Sequence, residues 1–222
     1  MKHLIRISLL IVLLIAIACD SGTNVDDGST DLLIANAKTT SKQTVDVFDG
    51  TDEEFPIVGT STLHRNANGI TMNFKAEGLD KGYTYTVWWV IWNFPENCFE
   101  GCDDPDFATP DAVGVDVLYA GGNVAGNAGK IAISGHLNEE DTSGSIRELF
   151  GLGVPIGLLD AESAEVHLVL RSHGPAIPGM VNEQISSYEG GCTDPFAFPP
   201  FTEVPDAVGE CGDIYFSVHI AE

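Results

Sequence analysis

The side chains best suited to binding or catalysis are concentrated in one run, residues 164–175, which reads Ala-Glu-Val-His-Leu-Val-Leu-Arg-Ser-His-Gly-Pro. In an extended strand, side chains two positions apart share a face, so His167, Arg171 and His173 are predicted to lie on one side. These three residues form the candidate ligand-binding site. Two alternatives stay open: this face is simply the exposed side of a sheet, or Arg171 forms a structural ion pair with Glu165, Glu183 or Glu189.

Histidines on other predicted strands could extend this site into a metal centre. His136 and His219 also alternate with apolar neighbours, so several imidazoles would converge if their strands are adjacent. Imidazole nitrogens suit copper or zinc, and the candidate metal ligands are His136, His167, His173 and His219. The competing hypothesis, which we favour, is that each histidine is held singly by hydrogen bonds within a sheet.

Acidic side chains follow each of the two most apolar strands and could supply oxygen ligands to Ca²⁺. The candidates are Asp103, Asp104, Asp106 and Asp111 in one loop, and Asp194, Glu203 and Asp206 in a second, similar loop. Their order is not that of an EF-hand loop. Solvated turn aspartates are the more common situation for such residues.

The cysteines indicate two disulfides. Of the five in the chain, Cys19 lies at the end of the apolar N-terminal segment, and the other four are Cys98, Cys102, Cys192 and Cys211. An even set in an exported chain is typical of disulfide bonds, and we predict the local pairs Cys98–Cys102 and Cys192–Cys211. A bond between Cys102 and Cys192 is the alternative.

The N-terminus has the pattern of a bacterial lipoprotein signal peptide over residues 1–19. A charged start and a short apolar run lead to Ala16-Ile17-Ala18-Cys19, in which Cys19 would be lipidated. An ordinary signal peptide with an incidental cysteine is the alternative. Residues 20–42, rich in Asp, Ser, Gly and Thr, are predicted to be a disordered tether. The expected location is the bacterial cell envelope, facing the periplasm or the exterior, with the lipid anchor as the only membrane contact.

The charge of the chain restricts its partners. Ten Lys and Arg against 33 Asp and Glu give a formal net charge of −23, which repels the phosphates of nucleic acids and anionic lipids. We therefore expect no nucleic-acid partner. Trp88, Trp89 and Trp92 could stack on a glycan, although three tryptophans in so apolar a run are more typical of a core.

The element that must position these residues is the run Tyr83–Asn93, which is β-branched, aromatic and stopped by Pro95. Because Val87–Trp92 is apolar at every position, we predict a central strand buried on both faces. Shorter alternating segments predict seven further strands, at 44–48, 59–63, 70–76, 115–119, 130–137, 166–172 and 214–220. The only predicted helical turn is 143–150. This pattern indicates an all-β antiparallel sandwich or barrel with little helix, and we expect a β-sandwich forming a single domain over residues 43–222.

An internal repeat divides this domain. Pro-Asp-Ala-Val-Gly occurs at 110–114 and again at 205–209, each time after Gly-Cys-x-Asp-Pro. We infer two similar halves, residues 56–120 and 121–222, related by a pseudo-twofold axis and packed face to face. In this alignment Trp88, Trp92 and Phe94 correspond to His167, Arg171 and His173, so the polar face of the second copy is expected to border a cleft or solvent.

Two stretches resemble known exported proteins. Glu-Phe-Pro-Ile-Val-Gly-Thr-Ser-Thr at 54–62 and His-Gly-Pro-Ala at 173–176 resemble chordin-like (CHRD) domains of exported bacterial proteins. Such domains usually carry His-x-His-Gly-Pro, and Arg171 stands here at the first histidine position. Residues 83–220 also resemble a set of bacterial exported proteins with the string Val-His-Leu-Val-x-Arg-Ser-His-Gly-Pro-Ala-Ile-Pro-Gly. This resemblance implies export and no particular activity.

Taken together, these features predict a lipid-anchored, exported binding or structural module with an unidentified ligand. No motif for catalysis stands out, and we favour a non-enzymatic role without a cofactor. The first alternative is a copper- or zinc-binding redox protein that uses the strand histidines, and the second is a glycan-binding module. The protein or glycan partner is not specified by the sequence.

Overall fold

A computed structural model describes residues 37–48, 56–192 and 211–221. The predicted signal peptide with Cys19, most of the tether, the second Pro-Asp-Ala-Val-Gly motif and the acidic residues Asp194, Glu203 and Asp206 lie outside the described residues. Within the described ranges, no helix is long and apolar enough to cross a membrane.

Eight strands account for most of the regular structure. They are β1 (Thr39–Val47), β2 (Ile57–Asn66), β3 (Gly69–Glu77), β4 (Tyr83–Trp92), β5 (Val115–Val124), β6 (Lys130–Asn138), β7 (Glu165–Pro175) and β8 (Gly212–His219). In the described ranges, the α-helices are the four-residue segments Pro110–Val113 and Val181–Gln184, with short 3₁₀ turns at Pro95–Asn97 and Asp104–Ala108. The all-β class with little helix is therefore confirmed.

Several strands are longer than the sequence predicts, and two segments are informative. β1 begins at Thr39, so residues 39–42 belong to a strand instead of the predicted tether, because they pair with the end of β2 through Thr39 and Arg65. Residues 143–150 form an isolated bridge at Ser145 followed by one helical turn, in which the N–H of Phe150 donates to the carbonyl oxygen of Ile146 at 3.2 Å, and this turn does not extend into a helix. There Ser145 pairs with Leu118 of β5, which keeps the segment against the sheet.

The strands form one antiparallel sheet in the order β5-β4-β7-β8-β1-β2-β3-β6. The sheet curls until its two edge strands, β5 and β6, approach each other, so it is nearly a closed barrel. Glycine makes this approach possible: a Cβ atom on Gly135 of β6 would lie 2.4 Å from the carbonyl oxygen of Ala120 in β5. The eight strands thus belong to a single rolled sheet, and its inner face encloses the main core.

β4 is buried on both faces, as its sequence predicts. Val87, Trp89 and Ile91 point into the main core, to which all eight strands contribute. Trp88 and Trp92 point outward into two smaller apolar clusters, and they are 2% and 0% exposed. The outer face of β4 is therefore covered by loops, and this covered face contains the candidate site.

The strands of the two predicted halves are interleaved in one sheet instead of forming two layers packed face to face. β4 and β7 are neighbours in the sheet, flanked by β5 and β8. The next corresponding strands, β3 and β6, pair with each other at the far end of the sheet. The order β5-β4-β7-β8 is symmetrical about the contact between β4 and β7, as two related halves would require. A twofold repeat over the whole domain stays a prediction.

Both predicted disulfides are present. Cys98 and Cys102 are bonded with an S–S distance of 2.11 Å and close the loop after β4. Cys192 and Cys211 are bonded at 2.05 Å and join the segment after the helix Val181–Gln184 to the start of β8. The local pairs are thus confirmed, and the alternative bond between Cys102 and Cys192 is excluded.

Candidate functional site

A groove of about 1240 Å³ lies on the outer face of β4, β5, β7 and β8. Its floor is formed by outward-facing side chains of the strands, among them Trp88, Val90, Trp92, His167 and Val169. Its walls come from the loop after β4, from residues 150–152 and from Tyr188. The lining is mostly aromatic and aliphatic. The groups with charge or a titratable ring that border it are Asp103, Asp104, His167, Tyr188 and Asp213.

Edge-to-face aromatic contacts hold the walls against the floor. The ring of Trp88 lies 5.3 Å from that of Tyr188, and Tyr188 lies 5.1 Å from Phe150. On the other side, Trp92 packs at 5.0 Å against Phe107. Tilted and perpendicular ring pairs of this kind favour a defined geometry. The groove is therefore largely preformed by the fold.

Buried charged groups attach the wall formed by residues 145–157 to β5. Arg147 is 1% exposed, and its guanidinium donates to the carbonyl oxygens of Val115 and Val154 at 2.8 and 2.6 Å and to Asp111 at 2.7 Å. Asp116 is fully buried and accepts hydrogen bonds from the hydroxyl of Ser145 and from the backbone N–H groups of residues 156 and 157, all within 2.8 Å. Sequence reasoning missed both residues. The available signal was a lone acid, Asp116, among the apolar residues of a predicted strand.

The predicted calcium ligands of the first loop are engaged with the protein itself. Asp106 is 5% exposed and accepts hydrogen bonds from the backbone N–H groups of Phe99 and Asp103. Asp111 pairs with Arg147. These contacts give Asp106 and Asp111 structural roles in the loops that border the groove, while Asp103 and Asp104 line the groove directly.

Arg171 lies beneath one end of the groove and is only 2% exposed. Its guanidinium carbon sits 3.8 Å above the ring of Tyr188, and Nη1 contacts both the Tyr188 hydroxyl and an Asp213 carboxylate oxygen at 3.0 Å. This is a structural ion pair, as the alternative hypothesis held, but its acid is Asp213 and not Glu165, Glu183 or Glu189. The bulge between β7 and β8 at Leu170 and Arg171 accompanies this pairing.

His173 is fully buried and its tautomer is fixed by its neighbours. Its Nδ1 lies 2.9 Å from the Gly190 carbonyl oxygen, which can only accept, so Nδ1 carries the proton. Nε2 then accepts from the Thr86 hydroxyl at 2.8 Å, and Thr86 in turn accepts from the Trp88 indole N–H at 2.8 Å. Burial, with a contribution from the charge of Arg171, lowers the pKa of His173 to about 4. The ring is neutral at pH 7.

His167 is the one residue of the candidate set that reaches the groove. Its side chain is 15% exposed, its ring centroid lies 5.9 Å from that of Trp92, and Nε2 is 2.7 Å from a carboxylate oxygen of Glu165. The structure thus divides the predicted trio: His167 lines the groove, while Arg171 and His173 support the strand and the loop behind it.

The four histidines do not come together. His136 contacts Thr71 and Asn138 on the β3–β6 side of the sheet, whereas His219 is buried between the hydroxyl groups of Ser41 and Ser61. Burial, with the charge of Arg65, lowers the pKa of His219 to about 4.

Within the described part of the chain, the one group of three potential metal-ligand atoms within 4.8 Å of each other is His173, Cys192 and Cys211. Both sulfurs are in the disulfide, and Nδ1 of His173 donates to Gly190. This donor set does not fit copper or zinc in the oxidised protein, because a thiolate and an unprotonated nitrogen are the required ligands.

The three tryptophans are each at most 2% exposed, so they do not form an open stacking platform for a sugar. One of them is nevertheless unusual. The indole N–H of Trp92 is buried and has no hydrogen-bond partner among the described residues. Because buried N–H groups are nearly always paired, an unpaired donor in the floor of a groove is a candidate contact for a ligand atom.

Comparison with known proteins does not assign this chain to a family: no family model, no curated protein and no solved structure matches it. The resemblance to chordin-like and other exported proteins therefore rests on the motif residues alone. The function has to be argued from the groove and its lining.

Proposed function

We propose that this protein is an exported, lipid-anchored binding module that holds an apolar small molecule in the groove on the outer face of β4, β5, β7 and β8. The observation that carries the proposal is the groove itself. A volume of about 1240 Å³ is ample for a drug-sized ligand, and binding sites are typically concave, mostly apolar and supplied with a few polar groups. The lining of this groove has that composition.

The way in which the walls are built also supports binding. Burying the charges of Arg147 and Asp116 requires desolvation, which is tolerated when every hydrogen bond is made. Here these buried groups attach residues 145–157 to β5, and the attached segment carries Phe150 and Leu152 into the wall. A loop packed flat against the sheet would be enough to cover its apolar face. These walls are instead held in fixed positions on either side of the floor.

The proposal is tested with a neutral apolar fluorescent probe, N-phenyl-1-naphthylamine, added to residues 20–222 with both disulfides intact. This length contains all eight strands and both disulfides, so it keeps the whole fold. The blocking variant is Val169→Phe with Val218→Phe, which places two rings in the floor of the groove. The matched control is Thr60→Phe, which adds a ring at an exposed position of β2, away from the groove.

We expect saturable binding to the wild type and to the control, and a loss of affinity of about tenfold or more in the blocked variant, which corresponds to ~1.4 kcal/mol. Equal binding by all three proteins would refute the groove as the site. If the blocked variant does not fold, the wild type is labelled instead with a photoreactive apolar probe that carries an aryl azide. Labelling must then fall on the walls at residues 102–108 and 150–152, on Tyr188 or on the floor residues of the strands, and labelling outside this lining contradicts the proposal.

A further inference from the structure

We propose that the ligand of the groove is an organic cation, whose apolar body lies on the aromatic floor and whose positive group lies against Asp103 and Asp104. This inference rests on the proposed function, since it specifies the chemistry of the same site. It rests on the charged groups around the apolar groove: Asp213 is paired with a basic side chain, whereas Asp103 and Asp104 are not.

Asp103 and Asp104 lie at the start of the 3₁₀ turn that forms one wall. Both line the groove, and the same turn carries Phe107, whose ring packs against Trp92 in the floor. Neither carboxylate has a basic side chain within 4 Å among the residues described by the structure. Among the described residues, the two carboxylates thus have no Lys or Arg beside them, and the one basic ring that acts on them, His167, is hydrogen-bonded to Glu165.

Asp213 and His167, which also border the groove, already have partners. Asp213 is paired with Arg171 at 3.0 Å, and His167 is paired with Glu165 at 2.7 Å. The uncompensated charge at the border is thus negative. Burial and the neighbouring carboxylates of Asp103 and Asp213 raise the pKa of Asp104, while the nearby His167 ring acts in the opposite direction. A bound cation would relieve the repulsion between these carboxylates, and an anion would increase it.

The floor next to these acids suits a cation with a polar linker. Aromatic faces attract ammonium groups, and Trp92 and Phe107 are adjacent to the acidic turn. The buried N–H of Trp92, which has no partner in the described ranges, can donate to a hydroxyl, ether or carbonyl oxygen of the ligand. The overall charge of −23 also concentrates cations near the surface of the protein.

The test compares three probes that share a twelve-carbon chain: dodecyltrimethylammonium, dodecanol and dodecanoate, each below its micelle-forming concentration. Their displacement of N-phenyl-1-naphthylamine is measured on residues 20–222, on Asp103→Asn/Asp104→Asn, and on the control Glu77→Gln/Asp80→Asn. Asparagine retains the capping oxygen at position 103, so the turn is preserved. The control removes two exposed carboxylates that do not line the groove.

We expect dodecyltrimethylammonium to bind about tenfold more tightly than dodecanol, and dodecanoate to bind most weakly. This preference should disappear in Asp103→Asn/Asp104→Asn, persist in the control, and shrink as salt rises from about 0.01 M to about 1 M. If all three probes bind equally, or if the preference survives in Asp103→Asn/Asp104→Asn, the inference is wrong and the apolar groove remains. If neither the probes nor the naphthylamine bind, the proposed function is refuted and the inference with it.

Discussion

Replacing Arg171 by methionine is the sharpest test of how the site is supported. Methionine keeps an unbranched apolar stem but removes the guanidinium that stacks on Tyr188 and pairs with Asp213. A desolvated cation–aromatic contact is worth about 2 kcal/mol, and removing one partner of a buried ion pair costs ~3–5 kcal/mol. The two values are not added, because both describe the loss of the same guanidinium group.

We take the lower end for Arg171→Met because the side chain of Asp213 is 22% exposed and can be partly rehydrated. The expected loss in free energy of unfolding is ~3 kcal/mol. Arg171→Lys keeps the charge but loses the planar stack and the forked hydrogen bonds, so it should lose about half as much. In a double-mutant cycle with Asp213→Asn, we expect a coupling energy of ~1–2 kcal/mol.

The free energies are measured by equilibrium unfolding in denaturant with both disulfides intact, followed by tryptophan fluorescence. Trp88 is a suitable reporter because its ring lies 5.3 Å from that of Tyr188. A second measurement is the NMR titration of His173, whose pKa should rise in Arg171→Met because the neighbouring positive charge is gone. If Arg171→Met is as stable as the wild type and His173 titrates unchanged, Arg171 does not support the groove in the way described.

Three further outcomes are expected. Because burial lowers the pKa values of His173 and His219 to about 4, the folded state binds fewer protons than the unfolded state between pH 6.5 and 4. The stability is therefore complete above about pH 6.5 and falls by roughly 3 kcal/mol per histidine, as an upper bound, by pH 4. Denaturation at several pH values checks this, and a flat profile over that range would be inconsistent with two buried neutral rings. Trp88→Phe removes a hydrogen bond to Thr86, whereas Trp92→Phe removes none among the described residues, so Trp88→Phe should cost ~1 kcal/mol more. Equal losses in parallel unfolding curves would argue against the proton arrangement assigned to His173. Finally, replacing both cysteines of the Cys192–Cys211 bond by serine should cost ~3 kcal/mol, against ~2 kcal/mol for the Cys98–Cys102 bond, because the first closes the longer loop. Thermal melts of the two double variants test this order, and the reverse order would mean that loop closure is not the main contribution.

The sequence alone determined the local structure. Alternation of apolar and polar residues predicted seven of the strands, and a continuous apolar run predicted the eighth, β4, as buried on both faces. The hairpin turn between β2 and β3 has the sequence Asn-Ala-Asn-Gly at 66–69, and Asn and Gly tolerate the backbone angles of a tight hairpin. The disulfide pairs followed from the separation of the cysteines along the chain. Each of these features depends on residues that are close in sequence.

The site was decided by tertiary structure. The pattern of β4 required a cover on both faces, but it did not specify that the loops would leave a groove between Phe107, Phe150 and Tyr188. The run with His167, Arg171 and His173 predicted one polar side, and the fold then placed Arg171 under Tyr188 and His173 behind Thr86. The partner of Arg171 is Asp213, 42 residues away in sequence. Such pairs depend on strand order and on a bulge between neighbouring strands, and a period of two in the sequence carries no information on either.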